Sequence, residues 1–213
     1  MANTTHACSD KELFECEGGR VMWTVFSQGT WSAEKAFTAS NFTKARPALA
    51  PFRSNLYLLH RGAGDDNIRC IQYDQDHGWA KSKMLKCKSQ AHVAACEYKH
   101  MLRVVHRGPD GDRSLRLIRF DGDNWREDVQ IAGMYTTSGP ALAVFQYKFY
   151  WVVQGTTSEL WYTSYEGFSW AEYKKLRGSG AYTSSGPALA VYKDTLLRCP
   201  RNQRLFVVDF FRW

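Results

Sequence analysis

Residues 135–145, YTTSGPALAVF, return 47 positions later as residues 182–192, YTSSGPALAVY. Near-identity over eleven residues does not arise twice by chance. A chain written in copies of one module must fold into something that copies can build together. With Pro187 and Pro140 as anchors, a third copy opens at Pro47, and an intermediate copy opens at Val93. There VAACEYKHMLRVVHRG lies under PALAPFRSNLYLLHRG and shares His-Arg-Gly at 60–62 and 106–108. A weaker fifth copy begins near Thr4, with Cys16 beneath Cys199. The units run over about 1–43, 44–90, 91–137, 138–184 and 185–213 of one domain.

Within a unit, short apolar segments alternate with turn residues. An example is PALAVY, then KFYWVVQG, then ELWYTSY, a Glu166-Gly167 turn, and WAEYKKL after Trp170. Segments of 4 to 8 residues with period-two patterning and Gly, Asp or Ser turns predict β-strands, and no segment sustains a 3.6-residue period. Four strands in about 46 residues cannot bury both faces of their own sheet, and radial stacking solves this. The expectation is an all-β, five-bladed β-propeller of four-stranded repeats. Its last blade is incomplete at the C-terminus, because the fifth unit shortens to VVDFFRW and lacks a fourth segment. An edge left open there is one that a second copy of the chain could cover.

The tryptophans Trp31, Trp79, Trp125 and Trp170 recur at one strand position and are expected between blades. Aromatics reach 15% of residues while the hydrophobic total is 44%, and no apolar run approaches the roughly 20 residues of a bilayer helix. A soluble protein is expected. The first residues carry no basic segment followed by an apolar one, which predicts a cytoplasmic protein, or one released without a classical signal peptide. In a reducing compartment the six cysteines are expected free rather than bridged, and the sequons at Asn3 and Asn41 unused. The net charge of +7 favours acidic partners and concentrates between Lys81 and Arg107. There KSKMLKCK reads first as an exposed edge strand whose lysines deter strand addition.

The pattern GPALAVY, HRG, LWYTSYEG, SW resembles the tandem repeats of bacterial and fungal β-propeller lectins. The number and size of the units are similar to the five-bladed tachylectin-2 type. The resemblance covers nearly the whole chain, most clearly units two to four. It implies a non-catalytic, multivalent sugar-binding protein with several similar shallow sites between blades on one face. The turns YEGFSW and FDGDNW are loosely similar to sialidase Asp-box turns but lack the full motif, and read as blade turns.

On a propeller, loops between second and third strands and connectors between blades emerge together. The loop candidates are His60, Arg61, Asp65 and Asn67, then His106, Arg107 and Asp112, then Gln154. The connector candidates are Tyr135 with Ser138 and Tyr182 with Ser185. Aromatic rings can cover the apolar side of a sugar while Arg, Asp, Asn, Ser and Thr bond its hydroxyls. Repeated His-Arg-Gly fits a structural role equally well. Trp151 and Trp161 break the repeat pattern, which nominates them as specific contacts against the alternative of core packing.

Carboxylate pairs at Asp65-Asp66, Asp110 with Asp112, and Asp121 with Asp123 sit in turn sequences, where Asp bonds backbone. A glycosidase is therefore the weaker reading, and no catalytic residue is assigned. Cys87, His92 and Cys96 lack a second ligand pair, so neither metal nor cofactor is expected. Glycans or glycoproteins, anionic ones included given the charge, are the expected partners, and no nucleic acid. A protein-interaction propeller using the basic surface or the open fifth blade is the alternative.

Overall fold

The computed structural model describes residues 11–15, 19–37, 42–176, 183, 186–199, 201–202, 205–206 and 209–211, with side chains for 19–37, 42–176, 183 and 186–197. Among the described residues there is no helix. The chain folds as successive antiparallel sheets, one for each of the first four repeats and two in the fifth.

The first sheet comprises Lys11–Glu15, Val21–Ser27, Thr30–Trp31 and Lys35–Ala36. The second comprises Ala48–Phe52, Asn55–Arg61, Asn67–Asp74, Gly78–Trp79 and Lys83–Lys88. The third uses Ala94–Tyr98, Met101–Arg107, Ser114–Phe120 and Val129–Tyr135, and the fourth uses Ala141–Phe145, Lys148–Gln154, Leu160–Tyr165 and Lys174–Lys175. In the fifth unit Ala188–Tyr192, Thr195–Cys199 and Asp209–Phe211 make a three-stranded sheet, and Arg201–Asn202 pairs separately with Leu205–Phe206.

In the third and fourth sheets the hairpin between first and second strands is pinned by its turn. Lys99 and His100 have φ of 50° and 57°, and Gln146 and Tyr147 have 46° and 61°, the mirror-image turn whose twist matches the strands. After the third strand the chain doubles back, so that Trp79 pairs with Tyr73, Trp125 with Phe120 and Trp170 with Tyr165. The fourth strand then joins with a register shift opposite Asn67–Arg69 and again opposite Ser114–Arg116. These bulges widen the sheet where its outer strand meets the loop end.

The first strands of the second, third, fourth and fifth sheets lie side by side in chain order. Their sheets stack face to face through apolar seams, the packing of propeller blades. Val21, Phe37 and Trp23 of the first sheet meet Leu58, Ile71 and Trp79 of the second. Phe52, Leu59, Ile68 and Cys87 of the second meet Leu102, Val104, Ile118 and Trp125 of the third. Leu115, Ile131 and Met134 of the third meet Phe149, Trp151, Trp161 and Trp170 of the fourth. Three of the recurring tryptophans thus pack in seams as expected, whereas Trp31 is 49% exposed.

Turn residues clasp neighbouring sheets at the opposite end from the loops. Arg53 donates to the Asp121 carbonyl, Lys99 Nζ to the Glu166 carbonyl at 2.7 Å, and Tyr98 Oη to the Tyr147 carbonyl at 2.9 Å. Gly122 and Gly167, both at φ 108°, sit beneath the Arg53 and Lys99 side chains, where a Cβ would collide with them. Arg103, counted by sequence with the basic cluster, is buried under the rings of Tyr98 and Tyr165 at 5.2 and 5.3 Å.

Candidate functional site between the second and third sheets

The second strands end in Arg61, Arg107 and Gln154, and all three reach the connector that leaves their own sheet. Arg61 Nη1 donates to the Gln90 carbonyl at 3.2 Å, Arg107 Nη1 to the Thr137 carbonyl at 3.1 Å, and Gln154 Nε2 to the Thr183 carbonyl at 2.7 Å. The connectors turn on a repeated hydroxyl. Thr43, Ser89 and Thr136 each donate to the carbonyl two residues on and accept that residue's amide. Backbone amides of Ser89, Thr136 and Thr183 in turn bond the carbonyls of loop residues Asp66, Arg113 and Ser158. Loops and connectors therefore sit together, as sequence reasoning expected.

The side chains nominated from sequence divide by burial. His60, His106 and Trp151 are fully buried, so none of them presents a surface to a ligand in this conformation. The period of two explains why. They project from the second strands into the seams, His106 at the point of the third sheet that Val153 occupies in the fourth. Trp151 stacks on Trp170 at 4.1 Å, which makes it core rather than a contact residue. Among the described residues the ring nitrogens of His60 make no hydrogen bond of good geometry, and burial pushes the imidazole down to about 4 against a weaker pull from the Arg61 backbone. Arg61 and Arg107 serve the clasps, with Arg61 Nη2 also on Asp66 at 2.6 Å. Burial lowers the Arg107 guanidinium. Gln154 is buried, and Ser138 lies in its connector turn with Oγ on the Gly139 carbonyl. Tyr182 and Ser185 lie outside the described residues.

Asp65 closes its own loop with a bidentate pair to Arg69 at 2.8 and 2.7 Å, and this pairing holds its carboxyl well below the usual range. Tyr135 is 51% exposed, and its carbonyl accepts Tyr173 Oη at 3.3 Å. Tyr173 stacks on Trp161 with centroids 5.1 Å apart, so Tyr135 and Trp161 come together where the third and fourth sheets meet.

Asn67, His106 and Asp112 converge elsewhere. An open cavity of about 390 Å³ is lined by Asn67, Lys86, Cys87 and Lys88 of the second sheet and by Pro109, Asp112, Arg116 and Asp128 of the third. It shares Lys86, Cys87, Arg116 and Asp128 with a larger one of about 810 Å³ that extends along the seam to Trp125 and Arg126. Arg116 is the centre. Its Nε donates to Asp128 Oδ2 at 2.7 Å, and its Nη1 lies 3.7 Å from Asp112 Oδ2. Behind it His106 Nε2 lies 3.1 Å from Asp128 Oδ1 and Nδ1 lies 2.9 Å from the Arg107 carbonyl, so both ring nitrogens face an acceptor.

Burial alone would raise the Asp128 carboxyl, but His106 and Arg116 outweigh it and hold it low. Burial likewise opposes Asp112, and the amide and hydroxyl of Ser114 with the Arg116 charge win. The cavity thus offers ionised acceptors, a guanidinium fork, an amide and an indole. Arg116, Asp128 and Tyr173 escaped the sequence reading, which met Lys86 only within the lysine-bearing edge strand. A signal existed in the strand position shared by Arg69, Arg116 and Trp161, which pair with His60, His106 and Val153. The cysteines Cys70, Cys87 and Cys96 are free thiols pushed up to about 12 by burial. No group of three or more His, Cys, Asp or Glu among the described residues is placed to hold a metal.

No family model and no curated protein matches the chain. Among solved structures it is similar to a fungal lectin from Aleuria aurantia, described as a six-bladed β-propeller with a novel fucose recognition mode. The TM-score is 0.65 at 11% identity, covering 95% of this chain and 72% of the other. It is similar to AofleA from Arthrobotrys oligospora at TM-score 0.61 and 12% identity, covering 91% and 62%. A Bacteroides ovatus GH43B from a xyloglucan locus gives 0.55 at 12%, covering 73% and 35%. The chain spans about two thirds of the length of the two fungal proteins. These likenesses define an all-β protein of the β-propeller class.

Proposed function

We propose that the chain is a non-catalytic lectin, a five-bladed propeller that binds glycans in the seam between its second and third blades. The observation that carries this reading is Arg116, held between Asp128 and Asp112 in an open cavity with Asn67 on the facing wall and Trp125 further along. Vicinal hydroxyls suit such a site, because each can donate to a carboxylate and accept from a guanidinium, and charge-assisted bonds are the strong ones. Structures of the Aleuria aurantia lectin with α-methyl-L-fucoside and with Fucα1-6GlcNAc make L-fucosides the first ligands to try.

The carboxylates favour binding over catalysis. A glycosidase needs one carboxylic acid with a raised pKa opposite a second carboxylate. Asp65, Asp112, Asp128 and Glu159 are all lowered instead, so none is poised to deliver a proton near neutral pH.

A glycan array followed by isothermal titration calorimetry tests the reading. At least one glycan is expected to bind, and Arg116→Ala is expected to weaken it about tenfold or more, the loss of a charge-assisted bond. Silence across the array, or an Arg116→Ala variant that binds as well as the parent, overturns it.

A further inference from the structure

His60, His106 and Val153 stand at one strand position in the second, third and fourth sheets, opposite Arg69, Arg116 and Trp161. Of the three, His106 alone has a carboxylate within bonding reach among the described residues, Asp128 Oδ1 at 3.1 Å from Nε2. Its other nitrogen, Nδ1, lies 2.9 Å from the Arg107 carbonyl, and the ring is buried. A neutral imidazole carries one N–H and one lone pair, so either tautomer turns a lone pair on an acceptor oxygen, whereas the imidazolium donates to both. The arrangement therefore suits a ring with two protons. Asp128 in turn holds Arg116, accepting from Nε at 2.7 Å with Oδ2 and from Nη2 at 3.2 Å with its carbonyl. The imidazole thus reaches the guanidinium through one carboxylate.

The other charged and titratable groups around the ring are already engaged. Arg107 is turned to the Thr137 carbonyl, and Asp112 accepts the amide and hydroxyl of Ser114. Across the seam Arg61 is taken up by Asp66 at 2.6 Å, and burial pushes the Cys87 thiol up to about 12. Lys83 lines the wall further along. Asp112 and Asp128 are both held low, and an imidazole is the side chain of this set that ordinarily changes charge between about pH 5 and 8.

Resting on the lectin reading, we propose that His106 is a proton-dependent positioning residue: with both nitrogens protonated it fixes Asp128, and through it Arg116, in the arrangement that receives sugar hydroxyls. Loss of one proton sets a lone pair against Asp128 or the Arg107 carbonyl and loosens the site. Glycans are accordingly held more tightly in mildly acidic than in mildly alkaline solution.

The test reads the ring and the binding separately. In the ligand-free full chain, proton–nitrogen NMR of the side chains over about pH 5.5 to 8.5 is expected to show His106 with two N–H groups at the acid end. The Arg116 Nε–H signal is expected to move over the range in which the ring gives up a proton. Calorimetry with α-methyl-L-fucoside and with the tightest glycan of the array is expected to show about fivefold weaker binding at the alkaline end, the scale of one hydrogen bond's net worth. His106→Gln, which can donate to Asp128 but carries no titrating proton, is expected to bind without this slope.

A ring whose proton count does not change over the range overturns the proposal, as does an Arg116 signal that ignores the change. Affinity that stays level while the ring deprotonates, or a His106→Gln variant that keeps the parent's slope, overturns it and leaves the lectin reading standing. Absence of all glycan binding removes both readings.

Discussion

A guanidinium that donates to a backbone carbonyl fixes the path of the chain without asking anything of the side chain there. Arg107 does this to Thr137, and its partial burial makes the bond costly to lose. Arg107→Ala should therefore lower unfolding free energy by about 1–3 kcal/mol in urea denaturation. Arg107→Gln should lower it less, because Gln154 already makes the corresponding bond in the fourth sheet. His60 gives a pH prediction. Its folded pKa of about 4 lies below the ordinary imidazole value of 6.5, so between those values the unfolded chain binds the extra proton. Stability from this residue is intact above about 6.5 and falls as pH drops toward 4, by up to about 3 kcal/mol. His60→Val, the residue type that Val153 supplies at the same point of its sheet, should flatten the slope over that window in denaturation at stepped pH. His-Arg-Gly was legible as a repeat, but its role was not, because a strand's alternation hides which face meets a neighbour until register is known.

Turns and fourth strands set the character of the elements. Gly122 and Gly167, at φ 108°, leave room for Arg53 and Lys99 to bond the preceding carbonyls. A side chain at Gly122 meets a conformation reserved for glycine and a collision with Arg53. Gly122→Ala should cost about 1–3 kcal/mol in thermal or urea unfolding, whereas an exchange at Gly111, with open space around it, is penalised by its backbone conformation alone. The first three strands of each full unit were readable from period-two patterning and turn residues, and they stand where expected. The fourth were less so. Lys35–Ala36 and Lys174–Lys175 each pair at only two positions, and the outer strands of the second and third sheets carry register shifts, because Trp79, Trp125 and Trp170 first fold back on the strand before them. No period in REDVQI or AEYKKL announces a bulge.

Across the whole molecule, one scaffold carries seams of different chemistry. The position filled by Arg116 and its partner Asp128 between the second and third sheets is filled by Trp161 stacked on Tyr173 between the third and fourth. A glycan that needs the guanidinium finds it in the first of these and not in the second. Calorimetry should accordingly give fewer ligands bound than there are seams, and Trp161→Ala should leave the Arg116-dependent binding in place. The repeat made the architecture legible because it is a statement about the whole chain. The cavity was hidden because its character comes from where copies differ, Arg116 and Asp128 in the third against Trp161 and Tyr173 in the fourth, and difference is what an argument from likeness discards.

The carbonyl-directed clasps of Arg53 and Lys99 have a bearing on inheritance. Since Asp121 and Glu166 contribute main-chain oxygen, these two bonds do not depend on which side chains stand there, so long as the adjoining Gly122 and Gly167 are kept. A lineage built this way can retune one recognition surface after another, keeping its frame, and so acquire a mixed palette of ligands from a single ancestral copy.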